Sequence, residues 1–330
     1  MTEGATLLAG PTAHGLLPLV DRVPALAASC RHHADEAVID AAVLDWAAAS
    51  GLVGRTTRVK MRAARFGGMA ARAFPETPRA DVVLFGQWLV WLFAFDDLRD
   101  DGPLGRDEGA TDRLYAEITA ALDDRPDPAA HPVVTTFADL WARTAGRASP
   151  GWQATFRAHL AEHRAACRSE ARHRRAGRPP SIDEYADLRR HANGPFMFDL
   201  AEPILRARVP DELRAAPAWQ ELFAACNDVT AWCNDVASAA KEQACGDVHN
   251  FVLVLAAGRG VSLGEATAEV LDRIETRMAD LAAAARALPG DFRRLGLPQP
   301  PCRDASRVAV TLLGAPRGHL EWLLESARYG

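Results

Sequence analysis

Apolar residues recur at three- and four-residue steps through most of the chain, the spacing that collects them on one face of a helix. From Glu36 onward Val38, Ile39, Ala42, Val43 and Trp46 set out such a face, and Gly51 stands where a helix would stop. Val82 to Phe95 is more apolar still, broken by Gln87 and halted at Asp96. It falls short of the roughly 18 consecutive apolar residues that a membrane span requires, so it reads as a buried helix. Strict alternation of apolar and polar residues is nearly absent and Ala is abundant. Pro and Gly fall mainly between the periodic segments, around 75–78, 102–105, 124–132, 177–180, 289–290 and 297–301. The pattern predicts an all-α protein. Residues 1–20 carry Gly and Pro at irregular spacing and receive no element. The breaks are short, and neither a Ser/Gly-rich linker nor a fixed-period repeat divides the chain. We therefore expect a mobile or surface-draped segment over 1–25 and a single helical domain over 26–330.

Composition narrows the possible partners. The 330 residues include 38 Lys+Arg and 43 Asp+Glu, a net charge of −5, which excludes nucleic acid held by bulk charge. Hydrophobic residues at 48% and charged residues at 25% suit a soluble globular chain with a sizeable core. The six cysteines form no C-x-x-C pair and no apolar leader opens the sequence, so reduced thiols and a cytoplasmic setting are expected. Arg164, Arg168, Arg172, Arg174, Arg175 and Arg178 are interleaved with Glu162, Glu170, His163 and His173, which reads as a solvated helix face.

Two clusters carry chemistry. Directly after the apolar run, Asp96, Asp97 and Asp100 fall on one side of a helix. Such hard oxygen ligands suit magnesium better than zinc, although acids at a helix end beside Gly102-Pro103 are also simply hydrated in many proteins. Asn234, Ser238 and Glu242 stand at i, i+4 and i+8, so that an amide oxygen, a hydroxyl and a carboxylate form one stripe able to chelate a cation. Lys241 adds a donor beside them; Lys60 is the only other lysine. Arg190 sits one turn before a Gly194-Pro195 break, where freed backbone carbonyls can approach a ligand, and the chain closes with Trp322 and then Arg328-Tyr329.

Asp96-Asp97-x-x-Asp100, Asn234-x-x-x-Ser238-x-x-Lys241-Glu242, the Arg190 to Gly194 segment and terminal Arg328-Tyr329 together resemble the class I terpene synthases of bacteria, of the sesquiterpene-synthase type. Softer features extend the resemblance: Trp46 before Gly51-Leu52, Pro180-Ser181 ahead of Glu184-Tyr185, and Gly246-Asp247-x-His249-Asn250. The resemblance implies an α-helical bundle around a closed apolar pocket, with three Mg2+ ions holding an isoprenoid diphosphate at its mouth. By similarity Asp96 is the leading metal ligand and Asp97 and Asp100 are secondary, while Asn234, Ser238 and Glu242 bind another ion. Lys241, Arg190, Arg328 and Tyr329 would hydrogen-bond the diphosphate, with Arg189 the alternative to Arg190. Asn193 and Gly194 match the positions that couple diphosphate sensing to ionisation. Leu92 and Phe93, one turn before Asp96, with Phe198 and Trp322, are expected to line the pocket, where aromatic faces stabilise a carbocation.

The implied activity is cyclisation of farnesyl diphosphate to a sesquiterpene with release of pyrophosphate. Geranylgeranyl diphosphate is the alternative substrate, ahead of geranyl diphosphate. A chain-elongating prenyltransferase, which resembles two facing aspartate-rich motifs, and a non-catalytic diphosphate-binding helical protein are the competing readings. A further one is a zinc peptidase, since His159-Leu160-Ala161-Glu162-His163 fits H-x-x-E-H. Family members often form homodimers, so a homodimer is a further expectation.

Overall fold

The computed structural model describes residues 13–53, 55–100, 107–124 and 126–326. A 3-10 turn, Ala13–Leu16, leads into α1 (Leu17–Arg22), α2 (Pro24–Ala27), α3 (Glu36–Ala49), α4 (Arg55–Ala64), α5 (Phe66–Ala73) and α6 (Arg79–Asp100). There follow α7 (Glu108–Ala120), α8 (Pro132–Ala145), α9 (Pro150–Ala176), α10 (Ile182–Ala192), α11 (Phe196–Asp199) and α12 (Ala201–Leu205). The remainder is α13 (Asp211–Arg214), α14 (Pro217–Cys245), α15 (Phe251–Arg259), α16 (Leu263–Arg294) and α17 (Gln299–Glu325). No β-strand occurs among the described residues. No single helix there is long and apolar enough to cross a membrane.

Side-chain caps fix where the long helices begin. Ser181 and Ser262 each form a reciprocal capping box, with Glu184 and Glu265, at the starts of α10 and α16. The Ser149 hydroxyl accepts from the Trp152 N–H to start α9, and the Asn250 side chain accepts from Val252 and Leu253 to start α15. These caps satisfy amide groups that the first turn leaves without partners.

The apolar run read from the sequence becomes α6, with Val82, Trp88, Leu89, Val90, Trp91 and Phe95 all buried. Its indoles are buried with their polar edges satisfied: Trp88 Nε1 donates to Thr144 Oγ1 at 3.0 Å and Trp91 Nε1 to the Val133 carbonyl at 2.7 Å. Trp91 stacks on Phe95 and meets Phe137 and Phe196, which ties α6 to α8 and α11. On the other side of the bundle α14 packs along α16 and α17. The arginines of α9 reach carboxylates on neighbouring elements: Arg164 and Arg168 take Asp112, Arg172 and Arg175 take Glu108, and Arg174 takes Asp247.

Two sequence expectations change. Residues 13–22 are helical and packed, because Leu16 and Leu19 bury completely against α14, α16 and α17. The Pro289-Gly290 pair does not end a helix; Pro289 lies inside α16. A proline costs an interior helix ~3 kcal/mol. Burial of Leu281, Ala284 and Leu288 along the same face offsets it. The break expected at 102–105 lies outside the described residues.

Candidate active site

One cavity of about 190 Å3 opens among α5, α6, α10, α11, α14 and α17. Its polar end is formed where three helices finish: Asp96 and Asp97 near the end of α6, Arg189 near the end of α10, and Asn234, Lys241 and Glu242 near the end of α14. At 1.5 Å per residue, Phe93, Leu89 and Phe85 lie progressively deeper on α6 than Asp96, and all three line the cavity. A charged end and an apolar depth therefore come from the same helix.

Asp96 is partly exposed, and its Oδ1 accepts from Arg99 Nη2 at 2.5 Å. Arg99 is itself buried and donates from Nη1 to Glu170 at 3.2 Å, so the leading aspartate is anchored to α9. Sequence reasoning overlooked Arg99, although its position between Asp97 and Asp100 was visible. Asp97 lines the cavity beside Asp96. The Asp100 side chain lies outside the described residues.

The stripe on α14 is held together from behind. Ser238 is buried, donates to the Asn234 carbonyl at 2.8 Å and accepts from Asn250 Nδ2 at 3.3 Å. The same Asn250 amide reaches Glu242 Oε2 at 2.8 Å and the Asp235 carbonyl at 2.7 Å. Burial, reinforced by the nearby Asp235 carboxylate, pushes the Glu242 carboxyl up to about 8. Asp235 faces away from the stripe and accepts from Tyr185 Oη at 2.9 Å, Arg189 Nε at 2.8 Å and the Phe251 N–H at 3.0 Å. Asp235 and Asn250 are thus the supports that the spacing of the stripe does not reveal.

The two adjacent arginines part company. Arg189 lines the cavity, and its Nη2 reaches Asn234 Oδ1 at 3.1 Å while Nε holds Asp235. Arg190, the first choice from sequence as a diphosphate donor, is instead clamped on buried Asp228 and does not line the cavity. Successive helical residues point about 100° apart, so only one of the pair can face inward. Asn193 lines the cavity, donates from Nδ2 to Asn227 Oδ1 at 2.7 Å and caps α10. Gly194 follows with φ +73°, and a Cβ there would lie 3.3 Å from Leu92 Cδ1. A left-handed turn pressed against a cavity residue suits glycine on both counts. Arg328 and Tyr329 lie outside the described residues.

Leu92, Phe93 and Phe198 line the wall as the sequence suggests. Trp322 does not: it is buried behind the wall, its Nε1 donating to the Ala64 carbonyl at 2.6 Å and its ring 5.8 Å from that of Phe93. The long indole side chain reaches between helices instead of into the space they enclose. His319, one turn earlier on α17, takes the inward position and stacks on Trp322 at 5.7 Å. Met69, Phe74, Phe85, Met197 and Leu312 complete the apolar lining and were not singled out by sequence.

The H-x-x-E-H histidines do not converge on a common ligand. His159 Nδ1 pairs with Asp199 Oδ2 at 2.7 Å, and His163 Nδ1 with Tyr115 Oη at 2.7 Å. Burial drives His163 down to about 3 and keeps it neutral.

Comparison with known proteins agrees with this geometry. Residues 87–280 match the family model described as terpene synthase family 2, C-terminal metal binding. The (-)-delta-cadinene synthase of Streptomyces clavuligerus is 34% identical over 303 residues, covering 90% of this chain and 92% of the relative. The (+)-T-muurolol synthase of Roseiflexus castenholzii, described as (2E,6E)-farnesyl diphosphate cyclizing, is 36% identical over 73% of this chain and 74% of its own. Among solved structures, wild-type cucumene synthase superimposes with a TM-score of 0.77 at 27% identity, over 90% of this chain and 98% of that one. Hedycaryol synthase in complex with nerolidol shares the fold at 23% identity, with a TM-score of 0.76 over 89% of this chain and 96% of that one. The chain belongs to the bacterial class I terpene synthases, lyases that cyclise isoprenoid diphosphates.

Proposed function

We propose that the substrate is farnesyl diphosphate, the product a cyclic sesquiterpene, and the metal Mg2+. One observation carries the reading: two sets of hard oxygen donors and two cationic side chains meet at one end of a cavity whose remaining wall is mostly apolar. The T-muurolol synthase relative, described as farnesyl diphosphate cyclizing, supports the fifteen-carbon substrate.

The donor set fits magnesium. Asp96 and Asp97 offer carboxylates, and Asn234, Ser238 and Glu242 offer an amide, a hydroxyl and a carboxylate, with no sulfur or imidazole among them. A carboxyl held as far from ionisation as Glu242 is one whose charged form a divalent cation would favour. Three ions are expected, Asp96 with Asp97 and Asp100 serving one end and the α14 stripe the other. When bound, Mg2+ supplies positive charge that offsets the charge developing on departing diphosphate.

The chain's own groups do the rest. Arg189 and Lys241 donate hydrogen bonds to diphosphate oxygens, with Arg328 and Tyr329 as further donors from the terminus. Asn193 and Gly194 form the break that follows Arg189 and presses against Leu92. Below them Leu92, Phe93, Met197 and Phe198 exclude water and fold the chain for ring closure, and each aromatic face adds roughly 0.5–2 kcal/mol of stabilisation to a passing cation.

Pyrophosphate release from geranyl, farnesyl and geranylgeranyl diphosphates, with and without Mg2+, tests the reading when the organic layer is examined by mass spectrometry. Magnesium-dependent release with a cyclic C15 product is the expected result. Asp96→Asn and Glu242→Gln should each cut turnover strongly at unchanged helical content. Full turnover in both variants would refute the site.

A further inference from the structure

Among the described residues, half-buried His159 is supplied with Asp199 as partner, and buried His163 and His249 with Tyr115 and Asp247. His319 differs. It is 7% exposed, lines the active cavity, and its Nδ1 is enclosed with no hydrogen-bond partner among the described residues. Burying a polar nitrogen without a partner is costly, and such a group in a native cavity calls for a functional explanation. Stacking on Trp322, whose own Nε1 is tied to Ala64, fixes the plane of the ring. With Nδ1 enclosed, Nε2 is the nitrogen left for the cavity to reach. His319 shares the cavity wall with Leu312 and Ala315 earlier on α17, Leu312 bordering the second cavity as well, while Trp322 packs against Phe93.

We propose that His319 is a proton acceptor inside the cavity, taking the proton whose loss converts the cyclised carbocation into a neutral alkene. This rests on the isoprenoid-cyclase reading above. In the step, a C–H bond beside the cationic carbon breaks and its electron pair becomes the π bond of the alkene. The proton joins the imidazole lone pair, and the imidazolium returns it to water or to the released pyrophosphate when product leaves. Burial and the Arg189 charge lower the His319 pKa to about 4, so the ring is neutral at ordinary pH and presents a lone pair. The base needs no unusual strength, because a carbocation is a far stronger acid than any imidazolium. What it needs is position, which decides the hydrogen lost and so the double bond formed. The other ionisable side chains that line the cavity, Asp96, Asp97, Arg189, Lys241 and Glu242, sit at its diphosphate end.

His319→Phe and His319→Gln test the assignment, since the first keeps the ring and the second keeps polarity, and both remove the base. Each is compared with wild type for pyrophosphate release and for product distribution. The main wild-type alkene should fall at least about tenfold relative to other products, with pyrophosphate release recorded alongside as the measure of ionisation. In His319→Gly, added imidazole should restore the wild-type ratio, and pyrrole, which has the same shape without a basic nitrogen, should not. Unchanged products in the Phe and Gln variants would overturn the proposal, as would equal rescue by pyrrole. So would a wild-type product consisting only of an alcohol, or a hydrocarbon adduct on the protein, which would mean that the lone pair attacks carbon. Wild-type release from farnesyl diphosphate is measured first. Its absence would defeat the substrate reading alone, and the same variants would then be read on geranylgeranyl diphosphate.

Discussion

Arg190 and Asp228 meet through two parallel hydrogen bonds, Nε to Oδ1 and Nη2 to Oδ2, each 2.8 Å. Arg277 from α16 adds a third, Nε to Oδ2 at 2.7 Å, so a wholly buried carboxylate joins α10, α14 and α16. The arrangement is a structural clamp turned away from the cavity. Arg190→Met should therefore lower stability by about 1–2 kcal/mol, moderated because Arg277 still satisfies Asp228. Urea unfolding measures the loss, and kcat should remain within about threefold of wild type. A folded variant that no longer releases pyrophosphate would instead place Arg190 on the diphosphate.

Its neighbour should behave in the opposite way. Arg189 lines the cavity while Asp235, buried and accepting from Tyr185 and Phe251, orients its guanidinium. Arg189→Lys keeps the charge but loses the planar fork that spans Asp235 and a ligand oxygen at once. We expect kcat/KM for pyrophosphate release to fall about 10²–10³-fold, the usual effect of removing one donor aimed at developing negative charge. A fall below about threefold would show that a point charge suffices there.

The contrast explains what the sequence could carry. The buried helix from Val82 to Phe95, the aspartates that follow it and the stripe on α14 depend on spacing within one helix, and spacing is visible in the text. Choosing between Arg189 and Arg190 depends on how α10 is rotated against α14, which residues far along the chain, Asp228 and Asp235, decide. The same holds for Trp322 and His319: both lie on the buried face of α17, and only the placement of Ala64 and Phe93 sends the indole behind the wall. Burial of Leu16 and Leu19 was hidden in a stretch whose prolines and glycines suggested no regular element.

Asn250 links the chelating stripe to α15. One amide donates to Glu242 Oε2, Ser238 Oγ and the Asp235 carbonyl, while its Oδ1 caps the first turn of α15. Asn250→Ala should cost about 1 kcal/mol of stability through the lost cap. It should also raise the Mg2+ concentration giving half-maximal pyrophosphate release by about 10–100-fold, as loss of a group that orients a ligand commonly does. A magnesium titration at saturating substrate separates the two effects, since the cap alone leaves the midpoint in place.

Gly194 has φ +73°, and a Cβ there would press on the Leu92 side chain at 3.3 Å. Gly194→Ala should cost about 1–2 kcal/mol in backbone strain and displace Leu92 toward the cavity. A changed product ratio, with a thermal midpoint lowered by a few degrees, is the expected outcome. A product ratio that stays constant while stability falls would confine Gly194 to turning the chain.

Phe198 and Leu312 line the active cavity and also a second cavity beyond it, whose walls include His159, Trp219 and Phe223. The Phe198 ring meets Phe223 edge-on at 5.9 Å and so stands between the two spaces. The last five carbons of a longer isoprenoid would have to pass that ring to enter the second space. Phe198→Ala removes it and leaves a gap that neighbouring helices refill only in part, at about 3–5 kcal/mol of stability if the packing stays rigid. The variant should gain on geranylgeranyl diphosphate relative to farnesyl diphosphate by at least about tenfold in kcat/KM, the discrimination that one lost hydrophobic contact surface can supply. Phe198→Leu, which keeps most of the volume, should shift the ratio far less. If both variants leave the substrate ratio unchanged in folded protein, the partition between the cavities does not set chain length, and the limit lies with the residues above it at Phe93 and Leu92.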